Sequence, residues 1–159
     1  MDRTLVVLVF VAALGSATVG GIFYGFSSFV MKALGRLDPE QGVAAMNSIN
    51  VVVINPSFML AFMGTALICL LLTAGSYFWW NQTNGWLVLV AALLYLAGSV
   101  GLTMVLHQPM NLKLAGLQPV QAIAYWPEYL ETWIRWNHVR SAAALLSTAL
   151  FITALVLRG

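Results

Sequence analysis

The sequence predicts an all-α integral membrane protein, a four-helix up-down-up-down bundle in which residues 1–159 form a single transmembrane domain. Three observations predict it. Hydrophobic residues make up 61% of the chain and charged residues 8%, where a soluble domain carries about 25% charged residues. The apolar residues gather in four runs, at residues 5–31, 51–80, 86–107 and 136–157, each long enough to cross a hydrocarbon core of ~30 Å. The breaks between the runs hold proline, glycine and charge, which end helices or stay in water. The length leaves room for one compact bundle. A net charge of +2 is too small to point to nucleic acid. Cys69 is the only cysteine, so it has no disulfide partner within the chain, and without a Cys-x-x-Cys pair a thiol relay is excluded. Its place among Leu and Ile is that of a packing residue.

The first run follows Asp2 and Arg3 and is too long for the apolar region of a signal peptide. Ala13, Ala17, Gly21 and Gly25 recur at i+4 and form a small-residue ridge of the kind that lets helices approach closely in lipid. After Lys32 and Arg36, Asp38 suits an N-cap, Pro39 the first helical position and Gln41 the capping-box position. The helix that starts there carries Asn47, Asn50 and Asn55 on a loosely shared face. Pro56 removes a backbone hydrogen bond and is expected to kink that helix as it enters the bilayer. Tyr77, Trp79 and Trp80 form an interfacial belt. The polar turn at residues 81–85 contains a sequon that matters only in a secretory pathway that glycosylates.

In the third run Tyr95, Ser99, Thr103 and His107 recur every four residues, a polar ridge on an apolar helix. Two readings stand: hydrogen bonding between helices by Ser and Thr, or a polar wall leading to a site at His107. The ridge is expected to point into the bundle. Pro109 is expected to end this helix, because the residue before a proline disfavours the α region. A long loop would then reach Trp126, and Pro127 and Glu128 would open the last helix. Loops one and three lie on one side of an up-down-up-down bundle. That end holds Asn47, Asn50, Asn55, His107, Asn111, Asn137 and Arg140. It also holds Lys32, Arg36, Lys113, Arg135 and Arg140 against Arg3 and Arg158 at the other, which by positive-inside counting places both termini outside.

The last helix is read from its spacing, at about 100° per residue. Trp133, Trp136, Asn137 and Arg140 share one face, continued by Ala144, Ser147 and Phe151. Glu128, Glu131, Arg135 and His138 share the opposite face, with a Glu-to-Arg pair at i,i+4 that suits water. An arginine turned to lipid would cost from a few to more than ~10 kcal/mol, so Arg140 faces protein or a wet cavity. With Asn137 and Asn111 it could hold an anionic or phenolate oxygen. Alternatively it caps loop carbonyls or snorkels to headgroups. Trp133 and Trp136 suit a flat aromatic ligand, and tryptophan at an interface is also common without one.

No carboxylate falls within a predicted span, which argues against a proton-coupled exporter. His107 and His138 lie on unrelated faces without a third ligand, so no metal site is expected. His138 reads as a solvated surface residue. His107 reads either as a satisfied structural hydrogen-bonding group or as a proton-handling one.

The motifs Gly-x-Phe-Tyr-Gly-Phe-x-x-Phe-Val-Met at residues 21–31, Met46-Asn-x-Ile-Asn50, Asn55-Pro56, Pro109-x-Asn111 and Trp133-x-x-Trp-Asn-x-x-Arg140 occur in an order that resembles the anthrone-oxygenase-like family of small four-span membrane proteins. The resemblance runs through nearly the whole chain. It implies an all-α membrane bundle. For the fungal members it also implies oxidation of an anthrone to an anthraquinone by molecular oxygen, with no organic cofactor. The positions that match by motif are Asn50, Asn55, Pro56, Pro109, Asn111, Trp136, Asn137 and Arg140; His107 and His138 fall outside the motifs. On this reading His107 is the candidate base, and Arg140, Asn137 and Asn111 hold the enolate oxygen. Trp133 and Trp136 stack on the rings, with Asn50 and Asn55 as further substrate contacts. The expected partners are the lipid bilayer, a small hydrophobic aromatic molecule and oxygen, and the expected place is a bacterial inner membrane. A homo-oligomer is left open, as is a non-enzymatic protein that binds or carries a small hydrophobic molecule.

Overall fold

A computed structural model describes residues 3–79 and 84–157. Trp80, the sequon at residues 81–83, Asp2 and Arg158 lie outside the described residues. Among those described there are five helices and no strand: α1 (Arg3–Leu34), α2 (Pro39–Val52), α3 (Pro56–Trp79), α4 (Gly85–Gly116) and α5 (Pro119–Val156). All but α2 are long and apolar enough to cross a membrane. Each spanning helix packs against its neighbours in sequence, and α5 closes the ring on α1, so the up-down-up-down expectation holds. At 1.5 Å per residue α4 and α5 measure about 48 and 57 Å, well beyond a core of ~30 Å.

Two expectations about proline are corrected. Pro56 does not kink a continuous helix: α2 stops at Val52 and α3 starts afresh at Pro56, a first-turn position where the missing N–H costs nothing. Asn55 caps the new helix, accepting from the Phe58 N–H at 3.0 Å while its amide donates to the Val52 carbonyl at 3.0 Å. Pro109, in contrast, does not end α4. The turn before it, Thr103–His107, is π-helical, and the Gln108 N–H reaches back five residues to the Thr103 carbonyl. In the wider turn the proline ring is relieved of the clash it would meet in a regular helix. Gln108 stays in the α region at φ −61° and ψ −48°.

The long third loop is therefore absent, and Leu117 and Gln118 alone join α4 to α5. α5 opens at Pro119, with the Gln118 N–H donating to Gln121 Oε1 at 3.3 Å, and passes through Pro127. The capping box belongs here rather than at α2, where Asp38 occupies the N-cap position without a side-chain bond.

The small-residue ridge of α1 is corrected as well. Residues 3–25 form a regular α-helix, on which an i+4 series drifts by about 40° per step. Ala13 is buried, but Gly21 has nothing within 4 Å of where a side chain would stand. The close approaches are made by Gly15, against the Thr65 side chain, and by Gly20, where a Cβ would stand 3.0 Å from Leu145 and 3.2 Å from Ala144.

The polar ridge of α4 has the same i+4 spacing and the opposite outcome. Twelve residues of α-helix would turn His107 about 120° away from Tyr95. The π turns Leu94–Gly101 and Thr103–His107 take up that drift. Tyr95, Ser99 and His107 are buried and Thr103 half-buried, all toward the bundle. Tyr95 donates to the Phe62 carbonyl at 3.0 Å, and Ser99 to the Arg140 carbonyl at 3.4 Å.

Candidate functional site

The apolar interior has two parts. One fills the spanning region, from Leu5 and Val9 through Leu72 and Val88 to Phe151. The other sits where α2 covers the ends of α1, α4 and α5, built on Met31, Met46, Leu114, Trp126, Tyr129 and Trp133. Between them lies a polar layer, and Arg140 is its centre.

Arg140 is 6% exposed and Asn137 is fully buried. Arg140 Nε donates to Asn137 Oδ1 at 2.7 Å, and Nη1 donates to Thr103 Oγ1 at 3.2 Å. The Asn137 amide donates to the Phe23 carbonyl at 2.8 Å and to Ser27 Oγ at 2.7 Å. The guanidinium lies over the Phe23 ring at 3.9 Å and over Trp133 at 5.0 Å. No carboxylate pairs with it among the described residues; the ion pair there, Arg135 with Glu131 at 2.7 Å, stands on the exposed face as expected. A desolvated cation is thus held by charge-assisted hydrogen bonds, each worth about 1.5–3 kcal/mol, and by aromatic faces, worth about 2 kcal/mol or more away from water. Two of the five N–H donors of a guanidinium are used in these bonds.

His107 is 1% exposed and its ring meets Trp133 edge-on, with centroids 5.0 Å apart at 88°. Nδ1 lies 3.3 Å from the Leu102 carbonyl, and in the tautomer that donates there Nε2 is an acceptor. Nε2 is buried, and no donor within the protein reaches it. Asn111 does not reach Arg140. Its Oδ1 accepts from the Tyr129 hydroxyl at 2.8 Å and from Trp133 Nε1 at 3.1 Å, so Trp133 links the two groups.

The structure brings His107, Asn111, Trp133, Asn137 and Arg140 together. Trp136 is half-buried and outside the hydrogen-bonded cluster. Asn50 lies near Tyr129 on the α2 side. Asn55 is taken up by its own turn and stands apart. His138 is exposed. No three His, Cys, Asp or Glu side chains among the described residues could share a metal ion.

Three members of the cluster escape the sequence: Phe23, Ser27 and Tyr129. Tyr129 carries a usable signal, because it stands four residues before Trp133 and so on the same face. Phe23 contributes its carbonyl and its ring face, neither of which a hydropathy pattern marks.

Two surface grooves lie elsewhere. One, of about 350 Å³, runs between Phe10 and Ile152 at the far end; the other, of about 190 Å³, lies between Met31 and Leu130. Around Arg140 the packing is close.

The family model described as Anthrone oxygenase matches residues 58–150. No curated protein and no solved structure gives a match. The matched stretch holds α3, α4 and most of α5, with His107, Asn111, Trp133, Asn137 and Arg140; α1, Asn50 and Asn55 precede it. The match spans more than half of the 159 residues, and the chain belongs to the anthrone oxygenase family.

Proposed function

We propose that the protein is a membrane oxygenase that oxidises a flat, hydrophobic, anthrone-like aromatic with molecular oxygen, using no organic cofactor, and that it works in a bacterial inner membrane. The observation that carries this reading is the pairing of a buried acceptor, His107 Nε2, with a buried guanidinium, Arg140, across the ring of Trp133. An anthrone is a carbon acid. His107 Nε2 takes a proton from its methylene carbon, and the negative charge moves to the carbonyl oxygen. The unused N–H donors of Arg140 hold that oxygen, with Asn137 fixing the guanidinium. Oxygen bonds to the electron-rich carbon, and loss of water leaves a second carbonyl. One methylene and one O2 thus give one carbonyl and one water.

The close packing around Arg140 favours a second reading, a non-enzymatic protein that binds or carries a hydrophobic molecule. In either case admission of a ligand requires the side chains around Trp133 to part. The test is oxygen uptake and quinone absorbance after an anthrone is added to purified protein in lipid nanodiscs. Equal consumption of oxygen and formation of quinone, above the rate in empty nanodiscs, supports the oxygenase. Saturable binding without turnover supports the carrier.

A further inference from the structure

Four oxidisable rings run along α5 from the Arg140 cluster to water. Trp133, which meets His107 edge-on, shares Asn111 Oδ1 with Tyr129: the indole N–H donates at 3.1 Å and the hydroxyl at 2.8 Å. Tyr129 stacks on Trp126, with centroids 5.5 Å apart at 15°, and meets Tyr125 edge-on at 6.1 Å. Trp133, Tyr129 and Trp126 are buried. Tyr125 is half-buried, and the exposed Lys113 holds its ammonium 3.8 Å over the ring, so the row reaches water there. Spacings of three and four residues keep the rings on one face, and eight residues of helix carry the row about 12 Å.

The rings on the other side of Trp133 are of a different kind. Phe26 meets it at 5.6 Å, and Phe23, Phe62 and Phe58 continue from the guanidinium into the spanning core. Tyr95, fully buried, lies beyond Phe62. Benzene rings resist one-electron oxidation, whereas indoles and phenols yield an electron readily. Burial alone would be served by Phe throughout, without N–H and O–H groups that each need a partner. Around the candidate site the oxidisable rings lead outward and the inert ones inward.

We propose that Trp133, Tyr129, Trp126 and Tyr125 form an electron path that supplies one electron from the protein surface to the site and so rescues an oxygenation that has gone astray. The proposal rests on the oxygenase reading. There the deprotonated ligand gives one electron to O2, and the resulting carbon radical and superoxide combine as a peroxide. Should superoxide escape, the carbon radical takes up another O2 and becomes a peroxyl radical, a one-electron oxidant beside Trp133. One electron from the indole turns it into the peroxide anion, which takes from His107 the proton removed from the methylene. The product is the hydroperoxide of the normal course. The hole left on Trp133 passes outward. It does not settle on Tyr129, whose proton would have to go to Asn111, and an amide is a poor base. At Tyr125 the phenol releases its proton to water and leaves a neutral radical. A water-soluble reductant of the thiol or ascorbate class returns it to phenol by giving one hydrogen atom.

The test uses the full chain in nanodiscs, with anthraquinone as a probe that has no methylene to oxidise. Its affinity is read from quenching of tryptophan fluorescence. Under light, without oxygen, its excited state takes one electron from a neighbouring indole, and a water-soluble nitroso spin trap marks the radical that reaches the surface. Peptide mass spectrometry is expected to find the mark on Tyr125 in the wild type, severalfold above Trp136 and the exposed Trp86. Trp126→Phe with Tyr129→Phe cuts the path: the mark on Tyr125 is lost and oxidation of Trp133 rises severalfold. Tyr125→Phe keeps a ring at the surface, serves if the pair fails to fold, and likewise raises oxidation of Trp133. During anthrone turnover Tyr125→Phe keeps the initial rate but completes severalfold fewer turnovers before inactivation. A bound probe that leaves no mark on Tyr125, or Trp133 oxidation unchanged in the variants, overturns the path and leaves the rings as packing. An equal number of turnovers overturns the rescue. No quinone from any form removes the oxygenase reading and the rescue with it, and no binding of the probe removes the ligand site on which both depend.

Discussion

Arg140 and Phe23 are joined twice. The guanidinium lies 3.9 Å over the Phe23 ring, and the Asn137 side chain that accepts from Arg140 Nε donates to the Phe23 carbonyl at 2.8 Å. Ring and backbone of one α1 residue therefore locate the cation of α5, and a lysine could not replace it. An ammonium keeps the charge but loses the planar fork and the stacking. Arg140→Lys is expected to fold and to lose turnover, or ligand affinity, by about 10- to 100-fold, roughly 1.4–2.8 kcal/mol. Quinone formation and probe titration on the purified variant check this. Full activity in a folded Lys variant would show that the guanidinium serves packing alone.

His107→Phe keeps an aromatic edge against Trp133 and removes the acceptor at Nε2. Under the oxygenase reading it is expected to lower turnover by about 10²–10⁴-fold, the usual contribution of a general base, while probe affinity changes far less. Affinity and turnover falling together would instead make His107 a binding or structural group.

Gly98 lies directly against the Ala143 methyl, where α4 meets α5. Gly98→Ala has no flexible neighbour to push aside and is expected to destabilise the bundle by about 1–3 kcal/mol. Gly21→Ala meets nothing within 4 Å and gains helix propensity, up to about 1 kcal/mol. Thermal unfolding in detergent should separate the two. Equal losses would return Gly21 to a helix interface.

The topology places the α1–α2 and α4–α5 turns together, with Asn84 at the other end. Single cysteines introduced as Glu40→Cys and Gln118→Cys in a Cys69→Ala background should react with an impermeant maleimide from one side of sealed vesicles, and Asn84→Cys from the other. Labelling of all three from one side is incompatible with four crossings.

The sequence told most about what composition and period control. Four apolar runs became four spanning helices, and the face of Trp133, Asn137 and Arg140 is buried as its spacing requires. The polar ridge and the small-residue ridge looked equivalent in sequence and are not. The first follows π turns and stays inward; the second follows a regular helix and winds outward. Pro109 misled because the π turn before it gives its ring room that a regular turn would not. Partners contributed by backbone, such as the Phe23 carbonyl, carry no sequence mark at all.

Each π turn holds one residue more than the α-helical turn it replaces, so α4 is in effect a helix with residues spliced in. Straightening the turn between Leu94 and Gly101 at the present residue count would swing everything beyond it by about 100°. His107 and Asn111 would rotate away from Arg140 together. Removing one residue from the same turn as it straightens would bring both back. What meets the guanidinium is thus set by a residue count matched to a turn type, and neither leaves a trace in a hydropathy profile.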